Sequence, residues 1–595
     1  MHRRRLFTLL VAALCCGLSL NAAGPLAPQS TTTTAGGAAS ITPDELKGWL
    51  SYIASDELEG RQVFTEGLGL AAGYIADHLK EWGVKPAGDD GTYFQEVKVL
   101  GVDATSRSSV TVTVNGRTKT FKDGEGVTFP ENQGGKQTLT LKGVEFVGYG
   151  LSVPGHDDLA GRDLEGKAVV YLGACGPAGD TPRRLIAGRS RSAIELGHAA
   201  AVFGPPRAGR GDCDGTAPRA NTPPARPVEG RGNPAAAGRG QQPAAAPARS
   251  FGRGGTLGDF TTVQRLDTKT PPQITASDAF FEFLFSGADQ AYTALKAKAD
   301  ERGALPAFSL KNASITINID ADYKVVQTRL TRNVVGIIEG SDPALKDTYV
   351  LFGAHYDHIG YRQTPVTAGR GGFGGGRERP TPRPGDIVNN GADDDGSGTV
   401  ALMGIARAFA LGPKPKRSLM FVWHAGEEAG LYGSRYMADY PEVPLDKVSA
   451  QLNIDMIGRN RDDKASESNT VYVVGSDRIS TELHNVNEDA NASLSKPMTL
   501  DYEFNDPADP ESIYTRSDHY SYASKGIPII FYTTGLHPDY HWLTDEVSKI
   551  EFPKLAHIAQ LVYTTGTRVA NLDHFPARDN KGPRMGKGET GKIGS

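Results

Sequence analysis

The sequence is poor in cysteine: of four residues, Cys15 and Cys16 fall within the first 24 positions, and only Cys175 and Cys213 follow. No C-x-x-C or other zinc-finger spacing is present, which excludes a cysteine-held structural zinc. Long apolar runs are missing too. The run from Leu6 to Leu20 is shorter than the ~20 residues that cross a bilayer, and no later stretch qualifies. Neither sign of charge dominates: 64 basic against 69 acidic residues leave a formal charge of -5, which gives no global footprint for nucleic acid or an anionic membrane. H-E-x-x-H, G-x-S-x-G and the phosphate-binding P-loop are all absent, so those three routes to catalysis or nucleotide binding are closed.

What remains is enough for several cores, since 595 residues at 38% hydrophobic exceed what a single domain holds. The start, MHRRRLFTLLVAALCCGLSLNAAG, has a basic stretch, an apolar run and small residues at Ala22, Ala23 and Gly24. It reads as a signal peptide, residues 1–23, and implies a secreted or periplasmic protein. An oxidising compartment then favours a disulfide between Cys175 and Cys213. Residues 24–40 read as a flexible leader, with order from Ile41. In TPDELKGWLSYIAS, Thr42 caps a helix with Glu45 three residues on, and GLGLAAGYIADHLKEWG gives a second helix. Residues 41–100 are therefore assigned to the N-terminal part of the main domain.

From 101 to 325 the chain turns to short alternating runs such as SVTVTVNGRTKTF, where Asn115-Gly116 marks a hairpin. This predicts a separate β-rich module. Within it, 204–254 is Pro, Gly, Ala and Arg with almost no large apolar residue and is expected to be a disordered loop. A second insert of this kind covers 361–385. Between 330 and 575, strand and helix signals alternate, which predicts an α/β domain with a doubly wound, mostly parallel sheet. The tail, 576–595, is expected to be disordered.

The segment NNGADDDGSG places Asp393, Asp394 and Asp395 side by side, an arrangement that water, a hydrogen-bond network or a cation must sustain. Ligands of doubly wound sheets gather beyond the carboxyl ends of the strands. Four such ends carry chemistry: His355, Asp357 and His358 after TYVLFGA; His424, Glu427 and Glu428 after SLMFVW; Asp455 after AQLNI; His537 and His541 after IPIIFYTTG. Alone, each reads more simply as a solvated or capping residue. Together at one edge they point to a metal, and their surplus of carboxylates suits two ions sharing a bridge. A calcium loop would need acids where Gly391 and Leu402 stand.

GAHYDHIG, GADDDGSG, HAGEEAGLYGS, NIDMIGR and the YH of HPDYH resemble, in order, the signature stretches of the di-zinc aminopeptidase family, which includes secreted bacterial leucyl aminopeptidases and glutamate carboxypeptidase II. DELEGR, YIADHLKEWGVKPAGDDGTYFQ and TRSDHYSY also resemble family segments. FVGYG, DLEGKAVVYLG and ELGHAAAVFG resemble an inserted protease-associated domain. The resemblance implies a zinc-exopeptidase fold of the phosphorylase/hydrolase-like type and two zinc ions. His355, Asp394 and Asp455 would hold one; Asp394, Glu428 and His541 would hold the other. It also implies a cis peptide between Asp394 and Asp395, Asp357 orienting His355, and Glu427 as the general base. Tyr540 would assist the oxyanion. The activity implied is a secreted aminopeptidase acting on peptides; a carboxypeptidase, or a catalytically silent binding relative, are the alternatives. Neither nucleic acid nor a membrane span enters this reading.

Overall fold

A computed structural model describes residues 36–594 except 154–155, 180–182, 196, 208–259 and 364–378. The expected signal peptide, most of the leader, Cys213, most of the 204–254 loop and the middle of the 361–385 insert lie outside the described residues. Cys175 is disulfide-bonded.

The main sheet uses strands β1 (Phe94–Ser106), β2 (Phe260–Thr262), β3 (Ala321–Ile338), β4 (Tyr349–His355), β5 (Ser418–His424), β6 (Val448–Ile454), β7 (Thr470–Val474), β8 (Thr499–Asp501) and β9 (Ile529–Thr533). Their order is β2-β1-β3-β5-β4-β6-β9-β7-β8, with Lys85–Pro86 added beside β3. Only its centre, β5-β4-β6-β9, is continuously parallel. β3 joins β5, and β7 joins β9, antiparallel. The sheet is therefore mixed rather than mostly parallel, because β1 and β3 add a long antiparallel ribbon to one side of the parallel centre.

Strand periodicity puts alternate side chains on opposite faces, and here both faces are buried. On one, Val350, Phe352 and Ala354 of β4 pack with α1 (Pro43–Ile53), α2 (Glu66–Glu81), α3 (Gly398–Ala410) and α6 (Phe552–Asn571). On the other, Leu351 packs with Met437 of α4 (Tyr432–Asp439) and with Tyr522. The Thr42 cap forms as expected, its side chain accepting from the Glu45 amide.

A second ten-stranded sheet is built from segments between Ser109 and Ile319, with its own core around Val110, Val112, Phe203, Phe280 and Ile317. Asn115 and Gly116 turn its first hairpin with φ of 49° and 79°.

Two segments expected to be flexible make specific contacts. The end of the leader is anchored, Gly37 donating its amide to the carbonyl of Ala408 at 3.1 Å. The tail packs along α5 (Thr481–Ala492): the amides of Arg584 and Met585 donate to Asp477 Oδ2 at 2.6 and 2.8 Å, and Asn485 and Ile593 exchange two bonds of 2.9 Å. Its Gly, Lys and Arg composition concealed this because the tail is held mainly by backbone groups, with Met585 and Ile593 as apolar anchors.

Candidate metal centre

The three adjacent aspartates have separate tasks. Asp395 Oδ1 and Oδ2 accept from the amides of Gly398, Met456 and His355 at 2.9, 3.1 and 3.2 Å, tying together the start of α3 and the ends of two strands. Gly398 is required there, since a Cβ would sit 2.3 Å from Asp395 Oδ1. Asp393 accepts from the Gly458 amide at 2.6 Å and faces His537 Nε2 at 3.2 Å. That leaves Asp394 between two histidines: His355 Nε2 lies 3.4 Å from its Oδ1, and His541 Nε2 lies 3.0 Å from its Oδ2. The Asp394–Asp395 peptide is cis.

Two donor groups share that carboxylate. His355, Asp394 and Asp455 form one, with His355 Nε2 3.7 Å from Asp455 Oδ1. The other is His358, Asp394 and Glu428, and His541 stands beside it, its Nε2 2.9 Å from Glu428 Oε2. The side chains are buried or nearly so, and His355 Nε2, Asp394 Oδ2 and Glu428 Oε1 make no hydrogen bond. Orphaned donor atoms of this kind are costly unless a partner completes them. A mixed imidazole and carboxylate set fits zinc.

The electrostatics agree. Burial opposes charge on Asp394, yet His355, His541 and His358 hold its carboxyl well below the usual range. Burial likewise opposes charge on Glu428, but His541 and His358 hold its pKa at about 2 against the push of Asp394. Glu427 differs. Burial pushes its carboxyl well up, with Glu428, Asp455 and Asp518 adding to the shift and His355 opposing it. Adjacent glutamates thus have opposite proton affinities.

Asp357 contacts both His355 and the Glu-Glu turn. His355 Nδ1 lies 3.1 Å from the Asp357 carbonyl and 3.6 Å from its carboxylate, while the carboxylate oxygens accept from the amides of Glu427 and Glu428 at 3.1 and 3.4 Å. It therefore sets the Glu-Glu turn. Tyr540 stacks on His541 with centroids 4.0 Å apart, and its hydroxyl accepts from Arg516 Nη2 at 3.1 Å. Arg516 also lines a cavity of about 940 Å³ shared with Arg184 and Arg191 of the β-rich unit. His537 and His424 are not donors to the centre. His537 serves Asp393, and His424 Nε2 pairs with the Tyr522 hydroxyl at 2.8 Å.

Sequence reasoning missed Arg61 and Asp545. Arg61, fully buried, donates Nε to the carbonyl of Tyr356, Nη1 to those of Ile53 and Asn390, and Nη2 to that of Gly391, at 2.6 to 2.9 Å. It fastens the loop after β4 to the loop carrying Asp394. Asp545 accepts the amides of Asp393 and Asp394 from the far side. DELEGR stood out as a stretch, but nothing within it set Arg61 apart from a solvated residue, and Asp545 in TDE carried no signal.

The model of peptidase family M28 matches residues 333–566, which contain every donor named above. That segment belongs to peptidase family M28. Curated relatives of the M28 segment include leucine aminopeptidase 1 of Trichophyton equinum, 28% identical over 260 residues, or 42% of this chain and 61% of the relative. Leucine aminopeptidase 1 of Trichophyton rubrum is 29% identical over 253 residues, covering 40% and 58%. The chain thus spans about three fifths of the length of these relatives. Among solved structures, an aminopeptidase from Aneurinibacillus sp. strain AM-1 aligns over 93% of this chain and 99% of its own at 17% identity, with a TM-score of 0.40. At that score the alignment carries no further argument.

Proposed function

We propose that the protein is a di-zinc exopeptidase, most simply an aminopeptidase, exported by residues 1–23 and carrying the β-rich unit as a protease-associated insertion. The observation that carries this reading is the pair of donor groups sharing Asp394, with an unliganded, high-pKa Glu427 next to the donor Glu428. The family match and the relatives' names support the choice of peptidase and of aminopeptidase.

In this reading His355, Asp394 and Asp455 hold one zinc, and Asp394, Glu428 and His541 hold the other. When bound, the two ions supply Lewis acidity that makes water more acidic and polarises the scissile carbonyl. Glu427 accepts the proton of the attacking water and returns it to the leaving amine, work that suits a carboxyl with raised proton affinity. The Asp357 carboxylate fixes the backbone of that turn, so the base stays aimed. Tyr540, its oxygen already accepting from Arg516, has its own proton to donate to the developing oxyanion.

The test is Glu427→Gln, which keeps the shape but cannot accept a proton. Zinc content and melting should match the unsubstituted protein, while kcat on amino-acid p-nitroanilides falls by ~10²- to 10⁴-fold. Near-normal turnover, or loss of zinc, would refute the assignment. Cleavage confined to substrates with a free C-terminus would favour the carboxypeptidase. A zinc-loaded protein inert toward all peptides would favour a silent binding relative.

A further inference from the structure

His358 has no part in the chemistry above, yet it points into the centre. It stands three residues after His355, and its side chain is sealed from solvent. Its Nδ1 lies 2.9 Å from Glu428 Oε1 and 3.8 Å from Asp394 Oδ2. Outside these contacts neither imidazole nitrogen has a hydrogen-bond partner. His358, Asp394 and Glu428 each bring one ligand atom to a common position. His358 Nδ1, Glu428 Oε1 and Asp394 Oδ2 therefore face the same position.

The ring is held there from behind. Its backbone amide donates to the Arg61 carbonyl at 3.1 Å, and Gly391, with φ of 57°, approaches so closely that a Cβ would lie 2.5 Å from the His358 ring. The His358 and His541 rings face the position from two sides, centroids 5.7 Å apart and tilted by 71°. Two imidazoles on one tetrahedral zinc, with Zn–N of ~2.0–2.1 Å, place their centroids roughly 5 to 5.5 Å apart. The observed spacing is close to that value.

The geometry points to His358 Nδ1 as an additional protein ligand of the second metal position, beside His541, Glu428 and the shared Asp394. This rests on the two-metal reading given above. It makes the two positions unequal: the first has one imidazole and two carboxylates, the second two imidazoles and two carboxylates. The second ion should be the last to leave during chelation.

The experiment measures zinc uptake rather than turnover. The metal-stripped full chain is titrated with Zn²⁺ against a chromophoric chelator, and imidazole scattering is counted at the zinc X-ray absorption edge. The same is done for His358→Ala and His358→Asn, after circular dichroism shows that the stripped variants fold like the stripped parent. The unsubstituted protein should bind two ions with three imidazoles between them. Losing an outer partner of a ligand typically costs ~10- to 100-fold in affinity, so losing a ligand should weaken one of the two ions by at least ~10²-fold and reduce the imidazole count to two. His358→Asn separates the roles, since its side-chain amide can still donate to Glu428. If His358→Asn keeps both affinities and the count is already two in the parent, the ligand role is overturned and the two-metal reading stands. If the parent binds no zinc at these positions, both fall.

Discussion

Arg61 shows how much one side chain can carry. Its guanidinium meets only backbone carbonyls, and burial lowers its pKa to about 10 even though Asp357, Asp545, Asp394 and Asp395 favour its charge. Those nearby carboxylates offset the cost of a buried cation, while its planar fork reaches carbonyls of three separate segments. Lysine offers a single ammonium and cannot span them. Arg61→Lys should leave buried carbonyls unsatisfied at ~1–3 kcal/mol each and loosen the loops bearing His355 and Asp394. The expected outcome is a lower urea midpoint together with faster zinc loss to chelator. A destabilised variant that retains zinc normally would limit Arg61 to the fold.

At the level of elements, the tail behaves as an added edge to α5. Its contacts include backbone bonds to Asp477 and Asn485, one from His484 Nε2 to the Gly591 carbonyl at 2.9 Å, bonds from Thr481 to Asp579, and the burial of Met585. Net values near 0.5–1.5 kcal/mol per hydrogen bond make this a modest clamp. Removing residues 576–595 should lower the melting midpoint by roughly a few degrees and leave zinc content unchanged, because no metal donor touches the tail. Calorimetry beside metal analysis checks both. An unchanged midpoint would show that these bonds merely replace equivalent bonds to water.

At the scale of the molecule, neutral histidines buried beneath the sheet make the fold acid-sensitive. Burial lowers both His424 and His519 to about 3 from the ordinary 6.5. Between those values the unfolded chain binds protons that the folded chain refuses, so stability rises with pH across the window. This contribution is fully present above about 6.5 and is lost as pH falls toward about 3. His519 stacks on Phe531 with centroids 4.4 Å apart, so His519→Phe keeps the ring and removes the titration. Urea midpoints of chelated protein near pH 4.5 and pH 7 should differ less in His519→Phe than in the parent. An equal difference would place the acid sensitivity elsewhere.

Taken alone, the sequence marked the strand ends as the place where the chemistry-bearing side chains gather. His355, Glu427, Glu428, Asp455 and His541 each follow an apolar run, and the rule that doubly wound sheets gather ligands beyond their carboxyl edge was enough to bring them together. It determined the hairpin at Asn115-Gly116 and the cap at Thr42, because turns and caps are short-range. Tertiary structure alone decided what depends on packing between distant segments. The antiparallel ribbon of β1 and β3 pairs residues more than two hundred positions apart, and local periodicity holds no record of partner or direction. The division of labour among Asp393, Asp394 and Asp395 follows from which amides and imidazoles reach each carboxylate. Arg61, His358 and the tail were illegible for the same reason: a charged or polar residue looks solvated in sequence until the fold supplies the carbonyls, carboxylates or backbone bonds that justify burying it.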